Sequence, residues 1–435
     1  MAFPSDLTRR EFLRLFQTGA LTLPLAWLPT CSTTKRSTSG GPSTKTDEQL
    51  LDEIQHASFD FFWNEASPAT GQVKDRALAA GSDTRTIASI ASTGFALSAL
   101  CIADSRGYKN TADIKERVRT TLRYLANQLP QEHGFFYHFV DMNTGARAFK
   151  SELSSVDTTI LLCGVLTARQ YFSDTEIQEL ATTIYNRVDW AWMLNGGETL
   201  SMGWTPESGF LDGRWNHYSE LMMIYLLAIG SPTHPIPAAS WEAWTRPTIT
   251  YQGITYISGN DPLFTHQYSH AWFDFRNVKD AHANYFENSI NATKAHKLFC
   301  LSLRDKFSDY ADDLWGITAS DYFGGYTAWG GPPPQGPLDG SIVPCATGGS
   351  LPFVFDDCMR VLRNIRTKYT GAWARYGFVD AFNPLTGWYD PDVIGIDVGI
   401  TMLMAENHRT GLVWQTFMKN PEAISAMKLV GFKAA

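Results

Sequence analysis

The sequence predicts an all-α fold, an α/α toroid with a few short strands in its loops. Three observations predict it. Helical periodicity recurs from Asp47 onward, segments such as 160–166 and 221–229 are apolar nearly all round, and no βαβ rhythm interrupts them. Helices apolar on every face belong inside a larger assembly of helices, and the long loops fall on alternate connections. A looser all-α array is the alternative arrangement.

The chain opens on a targeting pattern. Thr8-Arg9-Arg10-Glu11-Phe12-Leu13 is a twin-arginine motif, followed by an apolar run over 15–28 that Pro24 interrupts. That run is short for a membrane helix. It ends in Leu28-Pro29-Thr30-Cys31, similar to a bacterial lipoprotein cleavage box. Residues 1–30 are therefore expected to be a signal peptide, with Cys31 the lipidation site. Residues 31–46, rich in Ser, Thr, Gly and Lys, are expected to form a flexible tether. The expected location is outside the cytoplasm, periplasmic or anchored to a membrane by that lipid. One catalytic domain is expected over 47–435.

Helices are predicted over 47–65, 92–105, 112–128, 154–172, 175–193, 218–230 and 239–247, then 280–306, 351–369, 397–408, 411–418 and 420–429. Ser92 or Thr93, Ser154 or Ser155, and Asp174 stand where N-caps are needed. Strand signals are few. Residues 248–258 alternate around Gln252-Gly253 and predict a hairpin, and 135–140 predicts a local pairing.

Composition narrows the chemistry. A net charge of −8 with no basic stripe excludes a nucleic-acid partner. Fourteen Trp and seventeen Tyr exceed what a core needs, and flat rings suit the C–H faces of sugars. Cys101, Cys163, Cys300 and Cys358 lie in apolar helical stretches and are expected to be free thiols. No Cys/His spacing points to zinc, and no GxSxG elbow, GxxxxGK[ST] loop or dinucleotide fingerprint is present. No cofactor and no metal are expected, and the chain is expected to be monomeric.

Residues 203–236 run from an aromatic and acidic loop (Trp204, Trp215, Tyr218) into an apolar helix that begins beside Glu220. Apolar surroundings raise a carboxyl pKa, as a general acid requires. A helix-terminal Glu favoured by the macrodipole is the plainer reading. Asp157 falls in the first turn of another apolar helix, with Glu152 five residues earlier. It either caps that helix or holds a nucleophilic water. Hydrolysis of a glycoside generally needs such a pair of acids, roughly 6.5–9.5 Å apart for inversion and about 5–5.5 Å apart for retention. His266 and His270 would share a helical face, but no third metal ligand has a diagnostic spacing. His270, Trp272, Asp274 and Arg276 are expected to contact sugar. Trp388 is a further candidate for sugar contact, as are Glu287 and Glu406, for which structural hydrogen bonding is the plainer role.

Several stretches resemble the bacterial glycoamylase-like family, the group that contains endo-β-1,2-glucanases and domains of cyclic β-1,2-glucan synthases. They include STGFALSAL (92–100), GFFYHFVDMNTG (134–145), ELSSVDTTILLCG (152–164) and YSELMMIYLLAIGSPTHPI (218–236). WFDFR (272–276), YFENS (285–289), WGITASD (315–321), YGFVDAFNP (376–384) and GIDVGITMLMAENHRTGLVW (395–414) continue the match in order. The resemblance implies a six-hairpin toroid and endo-hydrolysis of a β-glucan, with β-1,2-glucan the first choice. It implies that Glu220 is the general acid, while Asp157, helped by Glu152, is the base by position. A glycan-binding lipoprotein without activity, or a transglycosylase or phosphorylase on the same glucan, are the rival functions.

Overall fold

Thr46 starts the first helix through a reciprocal capping box with Gln49: each side chain satisfies the other residue's backbone N–H. The computed structural model describes residues 45–260 and 262–435. The expected signal peptide, Cys31 and all but the last two residues of the tether lie outside the described residues.

From this cap the chain alternates amphipathic helices with helices buried on all sides. Helix α1 (Asp47–Asn64) precedes the buried α2 (Ile90–Arg106), and the amphipathic α3 (Thr111–Asn127) precedes the buried α4 (Ser155–Tyr171). Helices α5 (Thr175–Asn186) and the short α6 (Trp190–Leu194) lead to α7 (Met222–Gly230), in which every residue from Met222 to Ile229 is buried. After 3-10 turns at Ala238–Trp241, Leu263–His266 and Tyr268–Ala271 come α8 (Tyr285–Ser302) and α9 (Pro344–Gly348). The amphipathic α10 (Phe355–Lys368) then precedes the buried α11 (Gly395–Arg409), and α12 (Leu412–Phe417) and α13 (Pro421–Leu429) finish the chain.

The buried helices pack on one another in sequence, α2 on α4, α4 on α7 and α9 on α11, and α11 returns to α2. The α2–α4 contact is the tightest because both helices place glycine there. A Cβ on Gly94 would lie 2.4 Å from the Ile160 carbonyl oxygen, and one on Gly164 would lie 2.0 Å from that of Gly94. One continuous apolar core runs from Leu50 to Met427. Among the described residues, no helix is long and apolar enough to cross a membrane.

Several expectations needed correction. The predicted helix 175–193 breaks at Arg187 into α5 and α6, and 239–247 holds only a single 3-10 turn. The helix after Glu220 begins at Met222, not at Tyr218. Ser89 rather than Ser92 or Thr93 caps α2, whereas Ser154 and Asp174 cap α4 and α5 as expected. The hairpin turns at Gln252-Gly253, as read from the sequence. Cys101, Cys163, Cys300, Cys345 and Cys358 are free and buried.

Candidate active site

A ribbon of very short strands crosses the N-terminal ends of the buried helices. Asp392–Ile394 pairs with Arg76–Leu78, Lys74 bridges to Ala88, and Ile87–Ser89 pairs with Phe139–Asp141. Tyr137 bridges to Leu153, and Leu153–Ser154 pairs with Gly203–Thr205. Each of these segments leads directly into a buried helix or lies beside one that does, so the ribbon gathers the first turns of α2, α4 and α11 on one face.

Asp157 is the third residue of α4. Its amide donates to the Ser154 hydroxyl at 3.1 Å, and that hydroxyl donates to Asp157 Oδ2 at 2.5 Å. Ser154 therefore does the capping, and the other carboxylate oxygen faces His138, whose Nε2 lies 3.6 Å from Asp157 Oδ1. His138 Nδ1 lies 3.2 Å from Glu152 Oε1. The imidazole thus sits between two carboxylates, and one ring nitrogen serves each. Asp157 is 4 % exposed. His138 was missed in the sequence because it lies in an aromatic strand segment, Phe135–Val140, well before its partners Glu152 and Asp157 in the chain.

Glu220 is 2 % exposed and lies two residues before the start of α7. No residue at the start of α7 caps it with a side chain. Ser269 does so from the neighbouring turn: the Met223 amide donates to its hydroxyl at 3.1 Å, and that hydroxyl donates to the Glu220 carbonyl at 2.9 Å. The loop before Glu220 is tied to the start of α4. Trp215 Nε1 donates to Ser155 Oγ at 2.8 Å, and the Tyr225 hydroxyl donates to the Trp215 carbonyl at 2.8 Å. Trp204 lies directly across the ladder from Leu153, beside Glu152. The structure therefore joins the segments carrying Glu220, Asp157, Glu152, Trp204 and Trp215. Tyr218 is fully buried, its hydroxyl 3.2 Å from His266 Nδ1.

Other expected sugar contacts stand elsewhere. Trp272 is fully buried and donates to Ser98 Oγ in the middle of α2. His270 lies in the core against Phe275, Phe286 and Phe353. Its Nε2 is 3.0 Å from the Ser289 hydroxyl, and burial, followed by the nearby His266, lowers its pKa to about 3. Asp274 and Arg276 pair with each other at 2.8 Å, with Arg276 laid over Trp414 near Gly411. Glu406 is a buried partner of Arg106 and Gln55 at the far end of α11, about 17 Å along the helix from Gly395. Glu287 is exposed in the first turn of α8. Trp388 is half-buried in a hairpin with Phe382–Asn383.

The same ribbon carries a second group of acids. Asp321, Asp380 and Asp390 place one oxygen each within 4.8 Å of one another. Arg76 Nη1 holds Asp321 Oδ2 at 2.6 Å, and Asp380 Oδ2 accepts the Asp321 amide at 2.6 Å. Asp397, third residue of α11, accepts the Cys345 thiol at 3.1 Å. Burial first, then the neighbouring carboxylates, drives the pKa of Asp380 well up and that of Asp390 to about 8. Burial raises Asp397 to about 6. Raised in this way, these carboxyls keep their protons to higher pH than free carboxyls do. Asp397 was legible in principle, since Gly-Ile-Asp397-Val repeats the placement of Ser-Val-Asp157-Thr at a buried helix start. Among the described residues, His138 with Glu152 and Asp157, and Asp321 with Asp380 and Asp390, are the groupings with dimensions suited to a cation; His266 and His270 are in neither.

A family model for glycoamylases, described as "Putative glucoamylase", matches residues 212–421. An exo beta-1,2-glucooligosaccharide sophorohydrolase (non-reducing end) of Parabacteroides distasonis is 29% identical over 421 residues, covering 87% of this chain. The chain spans only 57% of that curated relative's length. Among solved structures, an endo-beta-1,2-glucanase from Chitinophaga pinensis, with sophorotriose and glucose, gives a TM-score of 0.84 at 28% identity. That match covers 90% of this chain and 99% of the other. At 14% identity, an endo-beta-1,2-glucanase from Talaromyces funiculosus, with sophorose, shares the fold at a TM-score of 0.62, over 89% of this chain and 91% of its own. Over residues 212–421 the chain resembles the glycoamylase family model, and its fold matches that of solved endo-beta-1,2-glucanases.

Proposed function

We propose that the chain hydrolyses β-1,2-linked glucans at internal linkages. The observation that carries this reading is the presence of two buried carboxyls, Glu220 and Asp157, near the starts of neighbouring buried helices whose approach segments are tied together. Glu220 donates its proton to the glycosidic oxygen as the C–O bond breaks. Asp157 draws a proton from the water that attacks the anomeric carbon, directly or through a sugar hydroxyl. Glu152 acts through His138, which fixes the Asp157 carboxylate. Trp204 and Trp215 border the sugar chain.

The architecture belongs to the same proposal. Six hairpins form the toroid, with α2, α4, α7, the turn at 268–271, α9 and α11 as inner elements. The return of α11 to α2 supports ring closure. Export and acylation at Cys31 are likewise proposed, on the Arg9-Arg10 motif and the Leu28–Cys31 box. Mass spectrometry of the mature N-terminus tests them: an unmodified chain beginning at Met1 refutes both.

A second reading is favoured by the name of the Parabacteroides relative, release of sophorose from the non-reducing end. Linkage-defined linear glucans separate the two. Endo-hydrolysis gives an early ladder of β-1,2-glucooligosaccharides, whereas exo-action gives sophorose alone from the first time point. Cleavage of another linkage with β-1,2-glucan left intact refutes both.

A further inference from the structure

Phe149 is 54 % exposed, and with Phe323 it is one of two phenylalanines among the exposed large apolar side chains of the described residues. Its backbone lies in the left-handed region at φ 54°, and that of Lys150 follows at φ 52°. A bulky residue rarely adopts this conformation, and such strain persists only where the surroundings impose it. Here Arg147 imposes it. Arg147 donates to the Lys150 and Ser151 carbonyls from within the same turn, while its guanidinium pairs with Glu207 at 2.8 Å and covers the Tyr137 ring. The Ala148 amide donates to the Phe139 carbonyl, and the Ser151 hydroxyl binds the same strand residue. The turn is therefore clasped at both ends, and the Phe149 ring is held above Phe139.

The position of that ring gives it meaning. Phe149 meets Phe139 edge-on with centroids 5.8 Å apart, Phe139 stacks on His138 at 3.8 Å, and His138 contacts Glu152 and Asp157. A strained, rigid, half-open aromatic thus stands one ring beyond the imidazole of the proposed base. A pyranose with its C–H face on the ring would gain from both the apolar surface and the pre-set orientation.

We infer that Phe149 is a stacking platform for a glucosyl unit bound beside the His138–Glu152–Asp157 group. It is a substrate-positioning residue and takes no part in proton transfer. The inference rests on the proposed glucan hydrolysis. It predicts that the platform contributes binding shared by ground and transition states, so that KM responds more than kcat.

The test uses Phe149→Ala, Phe149→Tyr and Phe149→Trp in the full chain. Kinetics are measured on β-1,2-glucooligosaccharides, and calorimetric titration with the same sugars is run in a Glu220→Gln background. Phe149→Ala is expected to raise KM and weaken binding by about 3- to 10-fold, with a smaller change in kcat and a thermal midpoint within a few degrees of the parent. Tyr and Trp are expected to restore binding. Parent-like KM and affinity in Phe149→Ala, or no recovery with Tyr and Trp, would overturn the platform while leaving the glucanase reading intact. A parent chain that neither cleaves nor binds these sugars would overturn both.

Discussion

Asp157 and Asp397 occupy the same place in two helices, the third residue of α4 and of α11, yet their surroundings give them different tasks. Asp157 meets a hydroxyl and an imidazole, whereas Asp397 meets a thiol and the buried Asp380 carboxyl. The raised carboxyl pKa values have a consequence for stability. A carboxyl whose folded pKa is raised contributes stability at low pH and loses it as pH rises through the folded value. The thermal midpoint should therefore fall as pH rises from the ordinary carboxylate range of ~4, with the Asp397 share lost by about pH 6 and the Asp390 share by about pH 8. Asp390→Asn should flatten that fall; a midpoint indifferent to pH in both chains would contradict the raised carboxyl pKa values. Glu406 gives the opposite kind of prediction. Its removal strands Arg106 and Gln55, so Glu406→Ala should cost about 3–5 kcal/mol in denaturant unfolding and leave KM unchanged. A rise in KM without loss of stability would return Glu406 to the substrate. Residue identities at the site were partly legible: Glu220 and Asp157 stood out as acids at apolar helix starts. His138, Arg76 and Asp321 did not, because their partners come from distant parts of the chain.

Among the elements, α7 depends on a cap it does not encode. Ser269 supplies that cap from the following turn, and the same hydroxyl holds the carbonyl of Glu220. Ser269→Ala should cost about 1 kcal/mol in stability and also lower kcat, because it loosens the backbone that aims the acid. Stability loss with parent kinetics would show that the cap is only structural. The α2–α4 crossing makes a second demand. Gly94→Ala would press a methyl against the Ile160 carbonyl, and at least about 2 kcal/mol of destabilisation is expected by chemical denaturation. Long buried helices were legible from their all-round apolarity, to within a few residues for α2, α4 and α11. The segment 266–276 was misread for the opposite reason. Its His, Trp, Asp and Arg were taken for a binding loop, but it is the shortened stretch that fills the core between α2, α11 and α12, so its Trp272 and His270 face protein.

At the scale of the molecule, the chain places its polar chemistry at one end of a set of buried helices. There a ribbon of short strands is hydrogen-bonded to the Asp321 group and to the turn that bears Phe149, and it flanks His138, Glu152 and Asp157. Such an arrangement was legible as a fold class from helix alternation. The ribbon was not, because its strands are two or three residues long and pair with partners far along the chain. The most direct test of the central claim is turnover of linear β-1,2-glucan by Glu220→Gln beside the parent chain, with affinity for the same glucan measured in parallel. The account predicts a fall in kcat of at least about 100-fold with affinity retained. Near-parent turnover by Glu220→Gln would contradict it.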